Sequence, residues 1–517
     1  MNSNHTPVLI IGAGPTGLMA ACQLALRDIP FRIIEKSEHA SSKSKAIVLQ
    51  ARSLEILSQM GIVDTFINEG QKTQKIQMFS RGKLRQEISL GNFEEVSTPF
   101  PFINFIGQDK TEGLLIDFLN IKNIVPEWNT ELVDLNQTDQ KAIATVLSNG
   151  EKETITADWI IGADGAHSKV RHSMSTKFSG GKYPNGFMLS DVDIDWDYNE
   201  PALKLLLSNN VFGIFFPLGK KQYRVITLIP KEMSKKENPN FDDLKNFVEN
   251  EFDIPMKISN PRWTSFYNIH HRCVDFFREG RFLLAGDAAH IHSPAGGQGM
   301  NTGLQDAYNL CWKLALVIQD KAGDNLLNSY QKERLPVARN LVNGTDRLFS
   351  TMTSTNPFFT FMRARVFPLM LGFGLNTFGM QSLVFRFISQ TSINYQKRYP
   401  HYNLAKGITI KAGDRIKNVQ LNTGLLRADD LHGLLIGNGF HLLIFGKKSD
   451  FDPQKINSFI NNFPCEITPH WISPEHKDCF SKFNIQEKAL ILVRPDLHVG
   501  ITADNTADLE KYLPEFV

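Results

Sequence analysis

The first hydrophobic run of the chain, Val8-Leu9-Ile10-Ile11, has no polar interruption and stops at Gly12. A short apolar run closed by glycine predicts a strand buried on both faces. Leu18 to Leu26 is built of good helix formers, and Phe31-Arg32-Ile33-Ile34-Glu35 reads as a second strand. Strand, glycine turn, helix and strand together predict one βαβ unit. From about 180 to 275 the pattern changes to runs such as Val211–Phe216 and Tyr223–Ile229, joined by Pro217-Leu218-Gly219-Lys220-Lys221. That pattern predicts an antiparallel sheet inserted into an α/β domain. The α/β pattern resumes with a strand over Arg281–Ala285 and a helix through Leu304, Ala307, Leu310, Leu314 and Leu316. Beyond about 405, short strands such as Leu442–Phe445 and Ala489–Arg494 predict a small third unit, with a terminal helix over Asp508–Leu513.

Composition narrows the class. The 517 residues suffice for about three domains and a sizeable core. Apolar residues at 42% and charged residues at 21% exclude a disordered or fibrous chain. A net charge of +2 gives no bulk basic character, so no nucleic-acid partner is expected. Five cysteines, at 22, 273, 311, 465 and 479, form no CxxC pair. They fit buried thiols in a reducing, cytoplasmic setting and predict neither a disulfide framework nor a metal site. The amino terminus lacks a basic region and reads as leading into a strand, not as a signal peptide. Residues 366–385 carry no charge over 20 positions, the length of a membrane span. Pro368, Gly372, Gly374, Asn376 and Gly379 interrupt that stretch. A buried or dimer-facing helical connector is therefore favoured over an interfacial contact or a spanning helix, and no stable membrane insertion is expected.

Three motifs carry chemistry. Gly12-Ala13-Gly14-Pro15-Thr16-Gly17 follows a strand and opens a helix. Its glycines allow a tight turn, close approach of a pyrophosphate, and close helix–strand packing. Glu35, eighteen residues after Gly17, ends the second strand, where a carboxylate can accept from ribose hydroxyls. The second motif is Asp164-Gly165-Ala166-His167-Ser168, with Arg171 beyond it; alone it is a strand followed by a turn. The third is Gly286-Asp287-Ala288-Ala289-His290, then Pro294-Ala295-Gly296-Gly297-Gln298-Gly299-Met300-Asn301 leading into a helix. A glycine-rich loop entering a helix gathers backbone donors and a positive dipole end at one spot.

Together and in this order, the motifs resemble the class A flavoprotein aromatic hydroxylases, the para-hydroxybenzoate hydroxylase and phenol hydroxylase group. Lys45–Glu55 and Gly107-Gln108 with Glu112 and Leu115 resemble that family's intervening segments. Gly413-Asp414-Arg415 and Arg494–Val499 are similar to the thioredoxin-like carboxy-terminal domain of its larger members. The resemblance implies an α/β fold with a Rossmann-like FAD-binding domain of the glutathione-reductase type over 1–180 and 276–355. It further implies an inserted antiparallel substrate-binding sheet over 181–275, a helical connector over 356–404 and a thioredoxin-like domain over 405–517. Gly12, Gly14, Gly17 and Glu35 would bind the adenosine end of FAD, with Pro15, Thr16 and Lys36 beside them. Gln108 would lie along the ribityl chain and flavin, and Asp287 would hold the ribityl hydroxyls. Gly297, Gly299, Met300 and Asn301 would face the pyrimidine edge, and Pro294 would also bind the cofactor. Asp164 would serve FAD and, transiently, NAD(P)H, for which no second dinucleotide fold is visible.

Two departures from the family stand out. Lys45 occupies a position where the family commonly has Arg, which keeps the charge but loses the planar fork. Cys465 and Cys479 have thirteen residues between them, so the last domain cannot run thioredoxin chemistry and is expected to be structural or dimer-forming. The implied activity is NAD(P)H- and FAD-dependent monooxygenation of a phenolic or polyketide-like aromatic by molecular oxygen, through a flavin C4a-hydroperoxide. The alternatives are a same-fold quinone-pathway hydroxylase at the membrane, a reductase, or a non-enzymatic FAD-binding protein. Phe212, Phe215 and Tyr223 are candidates for the substrate wall, with core packing the commoner use of each. Tyr223, His270, His271 and the backbone carbonyl of Pro294 are candidates for activating a substrate hydroxyl.

Overall fold

The computed structural model describes residues 4–41, 44, 46–89, 97–208, 211–229, 240–292, 297–353, 380–421 and 428–517. Lys45, Pro294 and residues 366–379 of the uncharged stretch lie outside them. The buried first strand is His5–Ile11, an inner strand of a seven-stranded sheet whose main path is ordered Arg278–Glu279, Phe282–Leu284, Glu151–Gly162, His5–Ile11, Phe31–Ile34. The last four of these run parallel. Parallel strands need both faces covered, which explains the unbroken apolar runs. The helices Pro15–Ala25 and Gly299–Ile318 pack on each other over this sheet, in a core that joins Leu9, Ile10, Leu18, Ile160, Leu283 and Leu310. Pro15 stands in the first turn of its helix, where its fixed φ and missing N–H cost nothing.

The inserted sheet differs from the expectation in extent and in pairing. Its eight strands run His290–Ile291, Lys257–Val274, Phe178–Asp195, Gln222–Leu228, Phe212–Gly219, Leu203–Leu207, Lys75–Ser80, Lys83–Ser89. The hairpin Lys75–Ser89, far from 181–275 in sequence, thus completes one edge, and His290–Ile291 completes the other. Leu203–Leu207 pairs parallel with Lys75–Ser80, so the sheet is mixed and not purely antiparallel. Period-2 patterning marks a strand but carries no information about which distant strand it pairs with. The helix Phe241–Glu251, capped by reciprocal bonds between Asn240 and Asp243, covers one face through Leu244 and Val248.

The carboxy-terminal unit is a four-stranded mixed sheet ordered Ile467–Ile472, Phe440–Phe445, Ala489–Val493, Val499–Ala503. Its central strand is buried at all six positions. One face, with Leu443, Phe445 and Ile491, closes its own core. The other, with Leu442, Ile444 and Leu490, packs on Trp312 and Leu326 of the FAD-binding unit. Cys465 and Cys479 belong to these two different cores, and burial pushes both thiols up to about 12. The expected terminal helix is two short elements, an α-turn over Thr506–Leu509 and 3-10 turns over Glu510–Phe516. Among the described residues no helix is long and apolar enough to cross a membrane.

Candidate functional site

The three motifs occupy the carboxyl ends of three adjacent parallel strands, where ligands of open α/β sheets bind. Gly12 takes φ +102°, and a Cβ there would stand 2.5 Å from the Ala163 carbonyl oxygen, so the first turn lies directly against the Asp164 segment. A Cβ on Gly17 would fall 1.9 Å from the Gly12 carbonyl oxygen. Gly14 differs: a Cβ there meets nothing within 4 Å. The loop therefore closes on itself at Gly12 and Gly17 and opens to free space at Gly14, the shape a pyrophosphate requires. Thr16 ties this loop to the third motif. Its Oγ1 lies 2.5 Å from a Cβ built on Gly286 and 2.3 Å from one on Gly303 of the long helix.

The acidic groups divide by how many of their lone pairs are used. Glu35 accepts from the Ala13 N–H at 2.9 Å and from Ser37 at 2.9 and 3.1 Å, so it braces the glycine loop from the second strand. Asp164 Oδ2 accepts from the backbone N–H groups of Lys169 and Val170, while its buried Oδ1 has no partner among the described residues. Burial holds the Asp164 carboxyl above its ordinary value. An orphaned buried carboxylate oxygen is unusual unless a ligand hydroxyl completes it. Asp287 is exposed between buried neighbours, at the mouth of the same strand ends. Lys36 is exposed beside the half-buried Glu35.

The Gly297 loop packs on Val48, whose Cγ2 would stand 2.9 Å from a Gly297 Cβ. Gly297 has φ +62°, a second reason for glycine. The Asn301 side chain donates to the carbonyls of Val48 and Gly297 at 2.8 Å each, and accepts from the Gln50 N–H and the Ser53 hydroxyl. All its polar capacity goes into shaping the loop, so only backbone groups of Gly299, Met300 and Asn301 remain to meet a ligand. Gln108 accepts from the Ala46 N–H at 3.2 Å and donates to Glu112 at 2.8 Å, lying along the same wall. His290 bonds Asp306 at 2.7 Å, and Asp306 pairs with Arg334, which makes the histidine a structural member of the core. Arg171 donates to the carbonyls of Ala166 and Ala288 and so joins the second motif to the third.

The residues proposed for the substrate side are not brought together. Phe215 and Tyr223, 0% and 1% exposed, face the helix Phe241–Glu251 and pack with Trp196 and Phe252. The Tyr223 hydroxyl donates to the Tyr198 carbonyl. Phe212 is buried at the far end of its strand. The opposite face is turned to the flavin side by Phe216, which meets Phe105 edge-on at 5.7 Å. Phe105 pairs with Val48 in the small sheet beside the Gly297 loop. Alternation along Phe212–Gly219 identifies the two faces but not which one looks inward, which is why sequence reasoning missed Phe216. His270 and His271 lie at another edge, opposite Lys182 and Gly181. Burial, then the nearby cations Arg272 and Lys182, hold the His270 ring below its ordinary pKa.

A family sequence profile described as FAD binding domain matches residues 5–345. The chain belongs to the FAD-binding domain family. Its cofactor is FAD, and the residues present fit it: free space at Gly14 and an Asp164 oxygen without a partner among the described residues stand at adjacent strand ends, and the helix that begins at Gly299 packs on the one that follows Gly14. The chain is 34% identical over 350 residues to pentachlorophenol 4-monooxygenase of Sphingobium chlorophenolicum, covering 66% of this chain and 64% of that protein. It is 34% identical over 341 residues to 6-methylpretetramide 4-monooxygenase of Streptomyces rimosus, covering 65% of this chain and 60% of that protein. The matches thus span somewhat less than two thirds of those relatives. The flavin-dependent monooxygenase PieE, solved with FAD and substrate, superposes with a TM-score of 0.81 at 19% identity over 99% of this chain and 98% of its own, a likeness of fold.

Proposed function

We propose that this FAD-binding protein is an NAD(P)H-dependent monooxygenase that hydroxylates a phenolic or polyketide-like aromatic with molecular oxygen. The observation that carries the reading is the junction of two unlike surfaces. The glycine-bearing motifs that fit FAD meet the inserted sheet where Phe216 packs on Phe105, whose strand partner Val48 lies against the Gly297 loop. The named activities of the relatives support the same reading.

Bound FAD supplies the hydride acceptance and oxygen activation, chemistry that no side-chain constellation here needs to provide. The protein supplies the rest. The Gly12–Gly17 turn holds the pyrophosphate, and Asp164 and Asp287 accept from cofactor hydroxyls. The amides at the start of the helix Gly299–Ile318 favour negative charge at the ring's pyrimidine edge. Phe105 and Phe216 exclude water from the space between ring and substrate. Residues 1–180 with 276–355 act as the FAD-binding domain, 181–275 as the core of the substrate domain, and 356–404 as the connector. The unit over 405–517 acts as a thioredoxin-like module in a structural role, available for homodimer contact. The deciding measurement is NADPH oxidation by purified yellow protein across a panel of phenols, with labelled oxygen gas and mass analysis of the product. Aromatic-stimulated turnover placing one labelled oxygen atom in the product is expected. No stimulation and no labelled product with any phenol would overturn the reading.

A further inference from the structure

We propose that Glu55 is a positioning residue through which the carboxy-terminal unit sets the Gly297 loop. The inference goes beyond the hydroxylase reading and rests only on that loop facing the flavin. The short helix Ala51–Gln59 carries the contacts on both sides. At its start, the Gln50 N–H and the Ser53 hydroxyl donate to the side-chain oxygen of Asn301 at 2.9 and 2.7 Å. Asn301 passes that hold on by donating to the carbonyls of Val48 and Gly297, at 2.8 Å each. Two of the four bonds that shape the loop around Asn301 therefore come from this helix.

On the other side, Glu55 is 1% exposed and gathers donors from three segments. Arg52 of its own helix donates to Oε2 at 2.9 Å. The Thr98 hydroxyl and Arg415 Nη1 donate to Oε1 at 2.6 and 2.9 Å. Arg415 belongs to the carboxy-terminal unit, and its remaining nitrogens donate to the carbonyls of Thr391 and Ser97 at 3.2 Å each. Arg52 Nη2 reaches the same unit at the Asp496 carbonyl, and its backbone N–H donates to the Ser389 carbonyl at 3.2 Å. Thr98 begins the segment that leads into Ile103–Phe105, whose Phe105 pairs with Val48. One carboxylate thus fixes the helix that grips Asn301, and the strand beside Val48, against the carboxy-terminal unit.

Buried charges are a costly way to join two units, and an apolar seam would hold them as firmly. Such a seam can slide, whereas directional bonds to one carboxylate admit a single register. Glu55 and Ser53 share one hydrogen-bonded stretch of helix, so the register set at Glu55 is also the register at Asn301. The amides at the start of Gly299–Ile318 favour negative charge only where the loop holds them. A loosened loop should therefore weaken FAD binding, and weaken it more once the ring has gained charge on reduction.

The test reads three quantities on the full-length protein: the FAD dissociation constant, the flavin midpoint potential against a reference dye, and the melting temperature. Arg415→Lys keeps the charge but cannot reach Glu55, Thr391 and Ser97 together. It is expected to raise the dissociation constant about threefold or more and to move the potential to a more negative value. Arg52→Lys should act in the same direction and replaces Arg415→Lys should that variant fail to fold. Ser53→Ala cuts the hold on Asn301 directly and should reproduce both changes. Combined with Arg415→Lys it should add little, because both break one chain of contacts. Phe459→Leu, in an apolar core of the same unit, should lower the melting temperature and leave the potential unchanged. The inference is overturned by wild-type potential and FAD affinity in the arginine variants, by fully additive effects, or by an equal shift in Phe459→Leu. Wild-type values in Ser53→Ala would take the loop away from the flavin, and the role of Glu55 falls with it. None of these readouts needs turnover, so the hydroxylase reading stands or falls separately.

Discussion

Two buried polar regions of this molecule are built on opposite rules. Where the carboxy-terminal unit meets the long helix, every charge is answered within the chain. Arg494 pairs with Glu333 and Asp496, Lys313 with Glu333, and Asn309 and Trp312 donate to Asp496. Tyr399 adds its hydroxyl to Glu333. By contrast, Asp164 Oδ1 and Arg224 Nη1 are buried without a hydrogen-bond partner among the described residues. A completed network holds two units in one register; an incomplete one marks where something else must bind. The two regions are joined mechanically. Arg52 donates to the Asp496 carbonyl at 2.6 Å, two residues after Gln50, whose N–H donates to the Asn301 side chain of the Gly297 loop. Tyr308, two turns into the helix that starts at Gly299, donates to the Pro495 carbonyl.

The contrast can be broken most forcefully on the completed side. Arg494→Met leaves Glu333 and Asp496 buried without their main counter-charge. It is expected to cost about 3–5 kcal/mol in denaturant unfolding. A loss under about 1 kcal/mol would show that the cluster does not hold the units together. On the incomplete side, Gly17→Ala and Gly14→Ala should separate fold from ligand. A methyl at Gly17 strikes backbone and should lower the melting temperature of apoprotein; one at Gly14 meets only free space and should leave it unchanged. Gly14→Ala should still lose FAD affinity by at least about tenfold, on the order of 1.4 kcal/mol, because the methyl occupies the pyrophosphate's approach. Normal FAD titration in Gly14→Ala would remove that assignment.

Acid sharpens the comparison further. Burial alone would raise the Glu55 carboxyl, but Arg415, then His432 and Arg52, hold it down to about 2 from an ordinary 4.5. A depressed carboxyl stabilises the fold fully above its unfolded value, and that stability is lost as pH falls through the folded one. Unfolding measured from pH 5 to pH 2 should therefore weaken progressively, and Glu55→Gln should flatten that slope while being less stable at pH 7. Equal slopes would contradict it. The smallest effect is expected at Asp164. Asp164→Asn keeps an acceptor oxygen but not the charge, and FAD retention should fall by about 1 kcal/mol. An unchanged dissociation constant would place the cofactor hydroxyls elsewhere.

Much of the flavin side was legible in the chain, because its signals are local. Gly12, Gly14 and Gly17 sit within six residues, and the strand before them and the helix after them are contiguous with the turn they serve. The substrate side was legible only as strands. Phe215 and Phe216 are neighbours in sequence and look equally suitable, yet one lies in the core against Phe252 and the other faces Phe105. Arg494 and Asp496 stood out only as part of a family-like segment, and the ionic cluster they form did not, since Lys313, Glu333, Tyr399, Arg494 and Asp496 are scattered over almost two hundred positions.

The sequence by itself determined the βαβ unit, the phosphate-binding turn, the presence of an inserted sheet and the absence of a redox cysteine pair. Those follow from backbone conformations and apolar runs that neighbouring residues dictate. Only the tertiary structure decided that Lys75–Ser89 completes the inserted sheet, that Phe216 faces Phe105 while Phe215 faces Phe252, and which buried charges are answered. These depend on strand partner, facing direction and packing between distant segments, and a period of two along one strand is the same whichever way its faces point.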